Sequence, residues 1–370
     1  MRSPRRVLLL SYWLEPGGTE RQLTAVATRM DRSRFEPRAG CILARGSCLG
    51  ELRDAGVPVA EFPMRGLLRP SYWRAVSRLR KYIREERIDI VHSFDVPATL
   101  FAVPVARAAG APAVLSSQRA YRDLTPGKRP FLRLTDHMVD GIVVNSSAVR
   151  DDLIRRDRVP STLIHYCPNG VDLDVFSPPG ERRKGPVRIG IVSWLRPEKS
   201  IETLIDAFAK LRETGVEATL TVVGGGQMSE ALQRRAVEKN LVADCHFEPL
   251  TRSVAEWLRS FDIFVLPSRS EALSNALMEA MACGCCSIAS RTGGNPELIE
   301  HGVSGLLFSP GAVEDLTEKL RLAASDPVLR VELASAGARR IREGYSLAAS
   351  VRRLEEIYDA LPAARSGAYN

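Results

Sequence analysis

Between Phe261 and Leu307 the chain reads FDIFVLPSRSEALSNALMEAMACGCCSIASRTGGNPELIEHGVSGLL, a stretch few architectures can accommodate. Phe261 to Leu266 is a short apolar run stopped by Pro267, the pattern of a buried strand. Ser268 to Ser274 is polar and turn-like. Asn275 to Cys283, rich in Ala, Leu and Met, reads as a helix ended by Gly284, and Ser287 to Ser290 as the next strand. A helix thus begins just past the carboxyl end of a strand, where its free N–H groups and dipole favour an anion. Ser274 can cap that helix. Glu271 lies before it and Glu279 two turns along, roughly 12 Å apart along a helix axis. That span suits a sugar at one end, a diphosphate on the helix N-terminus and a ribose at the other.

The rest of the chain repeats the alternation. Strand patterns at Val7–Ser11, Arg38–Leu43, Val57–Phe62, Ile88–His92 and Ala113–Ser117 are separated by helical patterns at 21–30, 47–55, 72–86 and 99–109. Gly141–Val144 opens a further unit, with a helix from about Ala148 to Arg156. Val187–Val192 restarts the pattern after a linker at 177–186. Helices are expected at 201–211, 315–324, 328–343 and 347–361. Such alternation predicts parallel sheets with helices on both faces, whose ligands bind beyond the carboxyl ends of the strands. At those ends stand Gly17 and Gly18, His92, Gln118 and Arg119, then Arg196 and Lys199 beside a helix start, and Gly224 to Gly226. Glycines let backbone approach a phosphate, while arginine offers a fork and lysine a point charge.

The stretch at 261–307 closely resembles the Glu-x7-Glu signature of retaining glycosyltransferases of family 4, which have the GT-B fold. Glu271, Ala272, Leu273, Ser274 and Glu279 fall on it in register, and Gly293, Gly294, Pro296 and Glu297 continue the family pattern. The resemblance implies that Glu271 holds sugar hydroxyls, that the amides of Ala272, Leu273 and Ser274 hold the diphosphate, and that Glu279 holds the ribose. It places Gly17 and Gly18 in a glycine loop facing the donor across an interdomain cleft, and Gly224 in a turn near the donor. His246 to Leu250 is similar to the segment whose backbone meets the base. Arg196, Lys199 and Glu271 are the expected catalytic group; His92, Gln118 and Arg119 are expected on the acceptor or sugar side. Two positions depart from the pattern. Gln118 stands where a histidine is usual, and Trp194 where the phosphate arginine is usual, with Arg196 two residues later.

The resemblance thus implies two doubly wound domains. Residues 1–178 are expected to bind the acceptor and 179–345 the donor, with 346–370 a helix crossing back to the first domain. The implied reaction is transfer of a sugar from a UDP-, GDP- or ADP-sugar to a hydroxyl, with retention, in building an envelope polysaccharide, lipopolysaccharide or exopolysaccharide. No cofactor and no metal are expected. Asp172-Leu173-Asp174 mimics a metal motif but lies in a turn before the linker. One rival is a nucleotide-sugar-binding scaffold or sensor with impaired catalysis. A dinucleotide oxidoreductase is disfavoured, because the spaced glycine fingerprint is absent.

Charge is uneven. Residues 1–178 carry 28 basic and 19 acidic side chains, a net of +9, leaving 24 and 25 for the remainder. The basic half suits a glycan or lipid-linked acceptor and an anionic membrane surface; no motif supports nucleic acid. No apolar run reaches the roughly 20 residues of a membrane span. Arg2, Arg5 and Arg6 before Val7–Leu10 lack a small-residue cleavage site, so a first buried strand is expected rather than a signal peptide. Seven cysteines in apolar contexts suit a reducing cytoplasm, and the Cys283/Cys286 spacing reads as buried small residues. The expected location is cytoplasmic, at the inner face of the plasma membrane.

Overall fold

The structure is a computed structural model, described here for residues 3–15, 17–66, 69–122, 129–180 and 185–362. Pro16 of the glycine loop, residues 181–184 of the expected linker and the end of the chain from 363 lie outside the described residues. The chain divides into two compact units, one built from the chain up to Gly170 and from Leu347 onward, the other Val171–Ser346.

The first unit alternates β1 (Arg5–Ser11), α1 (Gly18–Arg29), β2 (Phe35–Cys41), α2 (Cys48–Asp54), β3 (Val59–Glu61), α3 (Pro70–Glu85), β4 (Ile90–Ser93), α4 (Val96–Ala109), β5 (Ala113–Gln118), α5 (Arg129–Asp136), β6 (Gly141–Val144), α6 (Ser147–Asp152) and β7 (Ile164–Tyr166). Its strands pair in parallel in the order β3-β2-β1-β4-β5-β6-β7. The order reverses between β1 and β4. Val7 to Leu10 are fully buried, as a central strand covered on both faces requires. The helix expected to reach Arg156 stops at Asp152 and widens into a π-turn over Leu153–Asp157.

The second unit contains β8 (Val187–Val192), α7 (Ile201–Glu213), β9 (Ala218–Val223), α8 (Ser229–Glu238), β10 (Cys245–Glu248), α9 (Val254–Ser260), β11 (Ile263–Leu266), α10 (Asn275–Ala282), β12 (Cys286–Ser290), α11 (Asn295–Leu298), β13 (Leu306–Phe308), α12 (Val313–Ser325) and α13 (Pro327–Gly344). Its parallel order is β10-β9-β8-β11-β12-β13, with the switch between β8 and β11.

Residues 171–178, expected to close the first domain, pack with the second unit. Val171 N–H donates to the Tyr345 carbonyl at 2.9 Å, Arg259 Nε donates to the Ser177 carbonyl at 3.1 Å, and Phe176 lies in that unit's core. The last helix, α14 (Leu347–Ala360), packs into the first unit, where Leu354 and Tyr358 are fully buried. All seven cysteines are buried thiols, and burial raises Cys245 to about 12. Among the described residues no helix is long and apolar enough to cross a membrane.

Candidate active site

In a doubly wound sheet the crevice at the switch point is where a ligand is held. In the second unit the switch strands are β8 and β11, and the loops that follow them carry Trp194–Lys199 and Ser268–Ser274. These loops are joined. Arg269 N–H donates to the Glu198 carbonyl at 2.8 Å, and Arg269 Nε donates to Ser200 Oγ at 3.1 Å. Lys199 Nζ donates to Glu271 Oε1 at 2.5 Å, and Ser268 Oγ donates to the same oxygen at 2.7 Å. One carboxylate oxygen therefore serves a cation from one loop and a hydroxyl from the other. Ser268 is itself fixed, since its carbonyl accepts from Ser290 Oγ at 2.5 Å.

The first of these loops rests on the glycine turn after β9. Gly224 has φ +149°, and a Cβ there would lie 1.9 Å from the Ser193 carbonyl oxygen. At Gly226 a Cβ would lie 2.5 Å from the Leu195 oxygen. Leu195 N–H donates to the Gly225 carbonyl at 3.0 Å. Only glycine lets the two loops stack this closely.

α10 begins as the sequence predicts. Ser274 is its N-cap and accepts from Leu277 N–H at 3.3 Å. Ala272 is half-buried and Leu273 buried, so the chain enters the helix under the surface. Glu279 lies on the second turn and is 5% exposed. Leu250 is 56% exposed after β10. Arg196 projects outward, its guanidinium carbon 5.9 Å from the Trp194 ring centroid and its Nη1 3.9 Å from Glu198. The shifted arginine and the tryptophan in the arginine's usual place thus form one stacked pair.

The residues expected in the first unit fare differently. Gly17 is the extended N-cap of α1, which opens at Gly18. The Glu20 carboxylate folds back over Gly17, whose added Cβ would meet Glu20 Oε2 at 2.4 Å. That helix N-terminus is already served by a carboxylate of this chain, and burial raises the Glu20 pKa. Asp95, which sequence reasoning had given no role, ties the switch strands together. Its Oδ2 accepts from Ser11 Oγ at 2.7 Å and from Tyr12 N–H at 2.6 Å, while Oδ1 caps α4 through Ala98 N–H. Burial raises its pKa as well.

His92 is fully buried. Nδ1 is bonded to Tyr358 Oη at 2.7 Å and Nε2 to Ser117 Oγ at 2.8 Å, so neither nitrogen is presented to a ligand. Burial holds its pKa well below the usual imidazole value. The expected acceptor contact is replaced by a link between the sheet and α14, because a β4 side chain facing that helix is sealed under it. Gln118 is also turned inward. Its Nε2 donates to the Ala120 carbonyl at 2.6 Å and its Oε1 accepts from Arg122 Nε at 3.0 Å. Arg119 donates through Nη1 to Asn169 Oδ1 at 2.6 Å. The residues missed in the sequence, Ser268, Arg269 and Asp95, are polar side chains in strand-end loops. Such positions carry no periodic signal, and only the folded sheet shows what they join.

Asp172 stabilises a local turn, its Oδ1 accepting from Asp174 N–H at 3.1 Å. Among the described residues there is no cluster of three or more His, Cys, Asp or Glu able to hold a metal ion.

Residues 175–340 match the model of glycosyl transferases group 1, and residues 16–175 that of glycosyltransferase family 4. The chain is 30% identical over 286 residues to a GDP-mannose-dependent alpha-(1-6)-phosphatidylinositol monomannoside mannosyltransferase of Mycolicibacterium smegmatis, covering 70% of this chain and 74% of that protein. It is 26% identical over 325 residues to a D-inositol 3-phosphate glycosyltransferase of Pseudarthrobacter chlorophenolicus, covering 80% and 76%. Among solved structures, Anabaena HepE in complex with UDP and glucose superposes with a TM-score of 0.82 at 20% identity, covering 96% of this chain and 99% of that one. A glycosyltransferase from Rickettsia africae superposes with a TM-score of 0.84 at 18% identity, covering 97% and 98%. With two Rossmann-like parallel sheets, a capped helix at the second switch point and these relatives, the chain belongs to glycosyltransferase family 4 and is a glycosyltransferase of the GT-B type.

Proposed function

We propose that this glycosyltransferase moves a sugar from a nucleoside diphospho-sugar to an acceptor hydroxyl with retention of configuration and without a metal or other cofactor. The observation that carries the reading is the Lys199–Glu271 pair, 2.5 Å apart at the switch point and next to the capped start of α10. Glu271 keeps one oxygen for Lys199 and Ser268 and has a second for sugar hydroxyls. Lys199 and the amides at the start of α10 would offset the charge that grows on the leaving diphosphate. Such preorganised donors act most on the transition state. Arg196 adds a second cation from its exposed loop, and Glu279 takes the ribose.

Likeness to other proteins supplies the candidate bases. One relative is named for GDP-mannose, and a structural neighbour was solved with UDP-glucose. UDP-, GDP- and ADP-sugars are therefore the donors to try. The acceptor is proposed to be a lipid-linked or envelope glycan, met at the inner face of the membrane through the basic first unit. Incubating the protein with each donor and a panel of glycan and polyol acceptors, with and without excess EDTA, tests the reading. Transfer that persists in EDTA and gives an anomer matching the donor is expected. Full loss restored by Mn²⁺ or Mg²⁺ removes the metal-free part, and an inverted product removes retention.

One observation favours a second reading. Both polar ends of Gln118 are occupied within the first unit, where a contact to the donor sugar is usual in the family. A chain that binds nucleotide sugars but transfers poorly, acting as a scaffold or sensor, would show nucleotide-dependent thermal stabilisation with no product across the whole panel.

A further inference from the structure

Two arginines follow β5 in the first unit, and they are treated in opposite ways. Arg122 is buried and neutralised: Nη1 and Nη2 donate to the two oxygens of Asp136 at 2.7 and 2.8 Å, and Asp157 lies 3.5 Å away. Arg119, at the carboxyl edge of the sheet, pairs with no carboxylate among the described residues. Its guanidinium carbon lies over the Phe94 ring, 4.9 Å from the centroid, and Nη1 is held on Asn169. Its Nε is buried without a hydrogen-bond partner. Among the described residues, the groups able to form an anion close enough to act on it are Cys167 and Tyr358; His92, also near, is a base. Burial raises the pKa of the thiol and of the phenol, so neither supplies an anion at neutral pH.

A second buried atom nearby lacks a partner. Asn145, 1% exposed at the end of β6, donates through Nδ2 to the Arg119 carbonyl at 3.4 Å, while its Oδ1 is unpartnered. Buried polar atoms are normally satisfied, and a desolvated charge normally has a counter-charge. Among the described residues this guanidinium has none, and an unpartnered amide oxygen belongs to the residue bonded to it.

We propose that Arg119 recognises an acidic group, a phosphate or a carboxylate, on the acceptor, with Asn145 taking a neighbouring hydroxyl. The word acceptor rests on the glycosyl-transfer reading; the anion site itself does not. A planar fork with free donors matches an oxyanion in a way lysine cannot. The class of ligand is therefore a polyol or sugar carrying an acid group, and a neutral analogue should be rejected because the guanidinium would then stay unpaired.

The test uses NMR of the full chain with isotopically labelled arginine. The Nε–H signal of Arg119 is assigned by its loss in Arg119→Gln, or in Arg119→Lys if the first variant does not fold. Inorganic phosphate is titrated, with glycerol as the neutral control, and UDP is added last. A saturable shift of the Arg119 signal with phosphate and none with glycerol is expected. An Arg119 signal that phosphate does not move, or that glycerol moves equally, overturns the site. A phosphate response with no response to UDP keeps the anion site and removes its assignment to an acceptor. A UDP response without a phosphate shift at Arg119 removes the anion site and leaves glycosyl transfer standing.

Discussion

At the scale of single residues the second unit's site is a small set of charges with unequal surroundings. Lys199 is held by Glu271, whereas Arg196 is 57% exposed and rests on Trp194. Lys199→Ala should therefore lower kcat by about a hundredfold, the scale of one preorganised donor. Arg196→Ala should lower it by roughly tenfold, about 1.4 kcal/mol. Steady-state transfer measures both, and an Arg196→Ala enzyme as impaired as Lys199→Ala would reverse the ranking. Glu279→Gln should weaken nucleotide binding by about 1.5–3 kcal/mol if a charged hydrogen bond to the ribose is lost; unchanged affinity in calorimetry would sink that role. His92 supplies a pH prediction. Its folded pKa is depressed below 6.5 by burial, so below that pH the unfolded chain binds a proton that the folded chain refuses. Stability then falls as pH falls, by up to about 1.4 kcal/mol per pH unit from this group. Glu20 and Asp95, with raised pKa values, act in the opposite direction at lower pH. Denaturant unfolding at neutral and mildly acidic pH should show a smaller loss in His92→Gln than in wild type. Equal losses would place the proton elsewhere. The catalytic candidates of the second unit were legible in the sequence because each lies in a short strand-end segment, Arg196 and Lys199 after one apolar run and Glu271 after another. The burial of His92 was not, because the Tyr358 that covers it lies 266 residues away.

At the scale of elements, the turns rather than the helices set the geometry. Ser274 caps α10. Ser274→Ala should cost about 1 kcal/mol of stability and also loosen the proposed diphosphate site, seen as a lower melting temperature and weaker UDP binding. Gly224 tolerates no side chain, since a Cβ would overlap the Ser193 carbonyl and the backbone is in a region glycine favours. Gly224→Ala should displace the loop that carries Lys199 and lower transfer more than it lowers stability. A variant with wild-type kinetics would show that the loop is positioned by other contacts. The apolar run of β11 and the alanine-rich α10 were readable, since their periodicities differ clearly. α5, α8 and α9 were not read. α5 spans only Arg129–Asp136 and carries Phe131 and Leu134 outward, 65% and 60% exposed, and α9 spans only Val254–Ser260, so each is about two turns long, too short for periodicity to separate it from a loop.

At the scale of the whole molecule, the second unit is continuous from Val171 to Ser346, while the first is completed by α14 from the far end of the chain. A chain ending at Ser346 should lose the cover of Leu354 and Tyr358 and fail to fold its first unit, whereas Val171–Ser346 expressed alone should fold cooperatively and bind UDP. Circular dichroism melting and calorimetry read the two cases; a truncated chain with both units intact would show α14 to be dispensable. By itself the sequence determined the alternation of strands and helices, the glycine turns, the capped helix of the second unit and the two glutamates about it. Each of these is a local pattern, set by periodicity and backbone preference within a few turns of chain. Only the tertiary structure decided that Lys199 meets Glu271, that Glu20 folds over Gly17, that Gln118 turns inward and that Arg119 is held on Asn169 rather than, among the described residues, on a carboxylate. Those outcomes depend on which strand ends become neighbours and what burial then does to charge, and neither quantity is written in any single stretch of residues.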